Sequence, residues 1–312
     1  MFGFVCLHVI GYSSIAPLGT VESQNRFLMH FRWVLNAGVD VFAFISGFYG
    51  IRFSIRKALN LLYIGAFSSL CVLSAEIFFF DVDFKIISLV QIFLKNWYFR
   101  EYLILFLLAP FLNKFFKSDD SARMKSIVFP LAVLFAWNFL AAQFSSSFGQ
   151  SASLGDHTAM LLVMMYLLGR FLSTTGILQK VNIWILVLSL LVCLPILFCF
   201  VRLKDFSSPF CIIAAICLFE IFRRLPVPAT FSKAVCFLSP SMLGILILHN
   251  AGSHQISGGL VHRYFENFTG DLKGLAFLKY ATVIFSGALV IDLARRLLGF
   301  LTVRLIQGCI KK

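Results

Sequence analysis

Charge is what this chain has least of. Asp, Glu, Lys and Arg together make up 13% of its 312 residues, about half the roughly 25% of an ordinary soluble domain, which excludes a fully solvated surface. The formal net charge is +13, yet no run of five or six basic residues occurs, so the excess does not read as a nucleic-acid patch. The eight Cys residues include no CxxC pair and no Cys/His ligand spacing, which removes zinc and dithiol redox readings. Most fall inside apolar segments and read as small packing residues. There is no GxSxG, HExxH, glycine-rich phosphate loop or EF-hand pattern, and no metal site or permanently bound cofactor is expected. Apolar residues do not alternate with the period of two that an outer-membrane barrel needs. No basic residue precedes His8, so the N-terminal apolar run lacks the n-region of a signal peptide.

What is present in excess is hydrocarbon. Hydrophobic residues reach 60%, including 38 Phe, and a helix crosses the roughly 30 Å hydrocarbon core with about 20 apolar residues. Apolar windows and their breakers predict helices near 1 to 12, 30 to 51, 58 to 80, 99 to 116, 127 to 143, 157 to 174, 183 to 203, 208 to 222, 236 to 250 and 276 to 296. The expected fold is all-α: a polytopic membrane bundle of about ten helices forming one domain over residues 1–312. With the N-terminus cytoplasmic, 17 of the 27 Lys and Arg fall on the inner side, so the positive-inside bias puts both termini in the cytoplasm. The first segment turns polar after about Tyr12 and covers roughly half a bilayer. It reads as a truncated first helix or as a re-entrant one. The outer connection near 81 to 98 holds an amphipathic piece, Ile86 to Leu94, suited to the membrane surface, and a polar connection follows over 251 to 275.

Ionisable groups at membrane depth are costly and mark candidate sites. His8 carries an imidazole able to take a proton from a hydroxyl near neutral pH; the alternative is a core histidine bonded to a neighbouring helix. Asp40, within Asn36, Gly38 and the run Phe42 to Gly50, either orients such a base or reaches the headgroups. Gly47 and Gly50 permit close helix approach. Arg52, Arg56 and Lys57 follow at once, as a phosphate-binding group or as ordinary topogenic charge. Asn96-Trp97-Tyr98 with Arg100 and Glu101 reads as an aromatic belt or a cavity edge. His249 closes the ninth segment, and Asp292 and Arg295 are spaced to pair on one helix face.

Taken in order, these pieces resemble the membrane acyltransferase 3 family, multi-pass O-acyltransferases of cell-envelope polysaccharides and related glycoconjugates. The residues carrying the resemblance are His8, Gly38-Val39-Asp40-Val41-Phe42 with Ser46-Gly47-Phe48, the basic cluster that follows, Asn96-Trp97-Tyr98 through Tyr102 to Ala109-Pro110-Phe111-Leu112-Asn113, and Leu243-Gly244-Ile245 to His249. The resemblance implies an essential first-helix histidine, falling on His8, and arginines meeting the nucleotide end of acyl-CoA, with Arg52 and Arg56 the nearest matches. The family often spaces that pair more tightly and commonly has an Arg eleven residues before its histidine. The expected activity is transfer of an acyl group, acetyl above all, from acyl-CoA to a hydroxyl of an envelope glycan or glycolipid. Catalysis would rest on His8 and Asp40, donor binding on Arg52, Arg56 and Lys57, and acceptor binding on Trp97, Tyr98, Glu101 and His249. The expected location is the bacterial inner membrane, and nothing in the sequence fixes an oligomeric state. The competing class is a transporter or flippase of a lipid-linked glycan or small anion, for which inverted halves with interrupted helices would be the sign.

Overall fold

In the computed structural model, residues 5, 22–80, 83, 85–114, 116, 159–200, 206–250 and 273–310 are described. Among them the protein is all-helical, with no strand. The helices are α1 (Glu22–Tyr49), α2 (Ile55–Phe80), α3 (Ile86–Lys95), α4 (Trp97–Lys114), α5 (Ala159–Thr175), α6 (Ile177–Lys180), α7 (Ile183–Cys199), α8 (Pro209–Arg224), α9 (Ala229–Leu238), α10 (Met242–Asn250) and α11 (Lys273–Ile310). A short 3-10 turn, Ser239–Ser241, joins α9 to α10. The predicted segments 1 to 12 and 127 to 143 lie outside the described residues, apart from Val5, which is helical and buried.

Local chemistry explains the helix ends. Gly50 leaves α1 at φ 74°, a left-handed turn that costs glycine little, and its N–H donates to the Gly47 carbonyl at 3.1 Å. Gly176 does the same between α5 and α6 at φ 64°. The Asn96 side-chain oxygen accepts from the Phe99 N–H at 3.0 Å, and Asn182 accepts from Trp184 at 2.9 Å, so each relieves an orphan amide at a helix start. Pro209 opens α8, where its missing N–H costs nothing.

Two compact units form, each assembled from separated stretches of chain. One comprises Leu59–Phe99 and Val227–Lys312, the other Thr20–Ala58 and Arg100–Pro226. In the second, α1 packs against α5, α7 and α8, and α7 against α8. Buried residues of α1 fall at Asn36, Ala37, Asp40, Ala43 and Phe44, the 3–4 spacing of one helical stripe. Cys193, Cys211, Leu197 and Ala214 pack around Ala37, which is the small-residue packing expected of the cysteines. Phe219 of α8 meets Phe44 and Phe48 with ring centroids 5.2 and 4.8 Å away. The α1–α5 crossing is close because both faces carry glycine. A side-chain carbon at Gly47 would sit 2.7 Å from the Tyr166 Cα, and one at Gly169 would sit 2.5 Å from the Phe44 carbonyl oxygen.

In the first unit α10 packs on α11. Asp292 and Arg295 form the expected pair, Arg295 Nε donating to Asp292 Oδ1 at 2.7 Å, with both residues buried. Gly244 of α10 makes room for that carboxylate, since a side-chain carbon there would lie 2.5 Å from the Asp292 Cγ.

By length and composition, Ile55–Phe78 and Ala229–His249 are long and apolar enough to cross a membrane, and Val34–Tyr49, Ala159–Thr175 and Ile183–Cys199 are shorter apolar helices. On α7, Trp184, Leu188, Leu191 and Val192 are all more than half exposed, an apolar face turned outward along one side of the helix. The surface-helix expectation for Ile86 to Leu94 corresponds to α3, whose Ile86, Ile87 and Val90 are exposed.

Candidate functional site

Asp40 lies on the packed stripe of α1 with no solvent exposure. It faces the helices around α1, so the headgroup alternative does not describe it. A carboxylate so placed is expensive to hold in charged form. Farther along α1, Ser46 Oγ donates to the Phe42 carbonyl at 3.0 Å and lies 3.4 Å from the Tyr102 hydroxyl.

Where α1 ends, three side chains hold the chain in one course. The Ile51 N–H donates to the Tyr166 hydroxyl at 3.1 Å, which in turn donates to Asn113 Oδ1 at 2.7 Å. Asn113 Nδ2 then donates to the Ile51 carbonyl at 2.9 Å. Both backbone groups of Ile51 are satisfied by residues 62 and 115 positions away in sequence. Arg170, one helical turn beyond Tyr166 on α5, lays its guanidinium on Gly50 and stacks over the Phe116 ring at 5.9 Å. Arg52, Arg56 and Lys57 are exposed immediately downstream, and Lys57 Nζ donates to the Arg52 carbonyl at 3.1 Å. The three predicted donor-site residues therefore share one rigidly anchored, strongly cationic stretch.

Arg223 is close by on α8, its guanidinium 5.7 Å from the Phe48 ring centroid. Unlike Arg170, it has a carboxylate partner among the described residues. The buried Glu220 carboxylate accepts from Arg223 at 2.6 and 2.8 Å and from Arg224 at 2.7 Å. Arg224 also donates to the Leu178 and Val181 carbonyls, closing off the end of α6. Glu101 is likewise committed, its carboxylate taking Arg100 Nη2 at 2.6 Å.

No protein-family model, curated protein or solved structure matches this chain. Its functional reading rests on its own residues.

The remaining predicted acceptor residues, Trp97, Tyr98 and His249, belong to the first unit. Trp97 and Tyr98 form an edge-on pair with centroids 5.5 Å apart, Tyr98 being buried. His249 is also buried, with Nδ1 2.6 Å from the Ile245 carbonyl. A carbonyl only accepts, so Nδ1 carries a proton. His8 lies outside the described residues, as do the 127 to 143 segment and the 251 to 272 stretch of the polar connection. Arg170, Tyr166 and Asn113 are the members that sequence reasoning missed. In the sequence Asn113 stands out only within the acyltransferase resemblance, while Arg170 and Tyr166 carry no local signal.

Proposed function

We propose that this chain is a membrane O-acyltransferase moving an acyl group, acetyl in the simplest case, from acyl-CoA to a hydroxyl of a cell-surface polysaccharide or glycoconjugate. The observation that carries this reading is the anchored cationic turn of Arg52, Arg56 and Lys57 directly following a helix that buries Asp40. Guanidinium and ammonium groups of that kind suit the phosphates of a CoA ester. The outward apolar face of α7 and the two membrane-length helices support membrane association, and the location proposed with this function is the bacterial inner membrane, in a multi-pass arrangement.

In the proposed reaction His8 takes the proton of an acceptor hydroxyl. The freed oxygen attacks the thioester carbonyl, the carbon–sulfur bond breaks, and the CoA thiolate leaves and is protonated, with the imidazolium as the proton source. The family resemblance further assigns Asp40 to orienting the base and Trp97, Tyr98, Glu101 and His249 to the acceptor, roles that the same transfer assay tests one substitution at a time. A covalent acyl-enzyme is the other route to the same product.

The test is transfer of radiolabelled acetyl from acetyl-CoA to the envelope glycan fraction, in membranes bearing the chain or its His8→Ala variant. Label that disappears with His8→Ala, at unchanged membrane content, is the expected result. Equal labelling by both, or none by either against a broad acceptor set, refutes it.

A further inference from the structure

We propose that Arg170 is the innermost ligand of a phosphate-binding site completed by Arg52, Arg56 and Lys57. The inference deepens the donor reading above and rests on it only for the identity of the phosphate carrier.

Arg170 is held in place, and no carboxylate among the described residues neutralises it. Its guanidinium is confined between the Gly50 backbone and the Phe116 ring: a side-chain carbon at position 50 would lie 2.9 Å from Nη1 and 3.4 Å from Cζ. Its Nε is enclosed and makes no hydrogen bond among the described residues. Nor does any described carboxylate pair with Arg170, Arg52, Arg56 or Lys57. Other arginines spend their donors within the fold: Arg223 and Arg224 share Glu220, Arg295 holds Asp292, and the half-buried Arg296 donates to the Phe237 carbonyl and the Ser241 hydroxyl. A partly enclosed guanidinium is costly unless an anion answers it, and here Arg170 covers Gly50 just ahead of the exposed Arg52, Arg56 and Lys57, with no carboxylate supplied by the described residues.

The geometry is also preorganised. Tyr166 and Arg170 are an i, i+4 pair on one face of α5; the first bonds Ile51 and the second covers Gly50. Asn113 fixes the Ile51 carbonyl from α4. The backbone that presents Arg52 therefore does not have to be ordered by the ligand. Cations spaced along residues 52 to 57, with the planar fork of Arg170 on the preceding Gly50, suit a phosphate or diphosphate better than a single carboxylate. Such a group reaches a membrane protein either on the nucleotide end of CoA or on an anionic lipid headgroup.

The experiment measures binding of CoA and of inorganic pyrophosphate to the full chain in neutral detergent, with phosphatidylglycerol as competitor, for wild type, Arg170→Gln and Arg170→Lys. Both probes should bind the wild type, and Arg170→Gln should weaken them about tenfold or more, as expected for losing a charge-assisted contact. Arg170→Lys keeps the charge but loses the fork, and should fall between the two while unfolding near the wild-type temperature. If pyrophosphate binds and phosphatidylglycerol displaces it while CoA does not bind, the site stands with a lipid as carrier, and it is the donor reading that fails. Unchanged affinity in both variants overturns the proposal even where acetyl transfer is observed. So does a wild type that binds none of the three.

Discussion

Replacing Gly47 with Ala is the sharpest probe of the α1–α5 seam. The added carbon would stand 2.7 Å from the Tyr166 Cα, where ordinary contact begins at 3.4 Å. The atom it meets is backbone, which no rotamer change can move aside, so α1 and α5 must separate locally by about 0.7 Å or more. A gap of that size forfeits about a quarter to a half of each contact's dispersion energy. The seam includes the fully buried Phe44, Leu162, Met165 and Tyr166, so the expected cost is about 3 kcal/mol. In a chain of this size that corresponds to a fall in Tm on the order of 5 °C or more. Gly287→Ala supplies the opposite sign. It lies inside α11 with nothing within 4 Å of an added carbon, so alanine's helix propensity should stabilise it by up to about 1 kcal/mol. Thermal unfolding of both purified variants in one detergent reads the difference. If Gly47→Ala unfolds at the wild-type temperature, or if both variants shift the same way, the close crossing is not what holds these helices together.

Tyr166→Phe removes the hydroxyl shared by Ile51 and Asn113, orphaning two groups at a cost of about 3 kcal/mol; unchanged unfolding, or unchanged amide hydrogen exchange at Ile51, would contradict the network. Glu220→Gln leaves Arg223 and Arg224 facing a neutral amide at a fully buried position, and should destabilise by about 3 kcal/mol, read as a lowered Tm that added chloride partly restores. The transfer assay on His8→Ala and the phosphate-binding assay on Arg170→Gln address function independently of these stability measurements.

The positions of most helices were legible because hydropathy reports the apolar part of a helix directly. It does not report the ends. The structure starts α1 at Glu22 rather than near 30, because Glu22 to Arg26 are polar yet helical, and it runs α11 to Ile310, past Arg295 and Arg296, where the apolar window closes. The helix from Ala229 was missed for the same reason, Ser232 and Lys233 interrupting its apolar character. Pro110 and Pro195, normally breakers, sit inside α4 and α7. Gly47 and the Asp292–Arg295 pair were readable from local spacing alone. The Arg170, Tyr166 and Asn113 group was not, since its members lie 53 and 115 residues from the partners they bond, and single-sequence periodicity carries no information at that range.

The seating of the Asp292 carboxylate on Gly244 limits how this protein can change its length. Adjacent residues on a helix are turned by about 100°, so gaining or losing one residue between Lys273 and Asp292 within α11 would swing the carboxylate off the notch at Gly244 and leave Arg295 to follow. This contact therefore opposes any change of length within the stretch of α11 that leads to Asp292. Within that stretch the last helix behaves as a keyed shaft, admitting substitutions on its outer side while its rotational setting stays fixed.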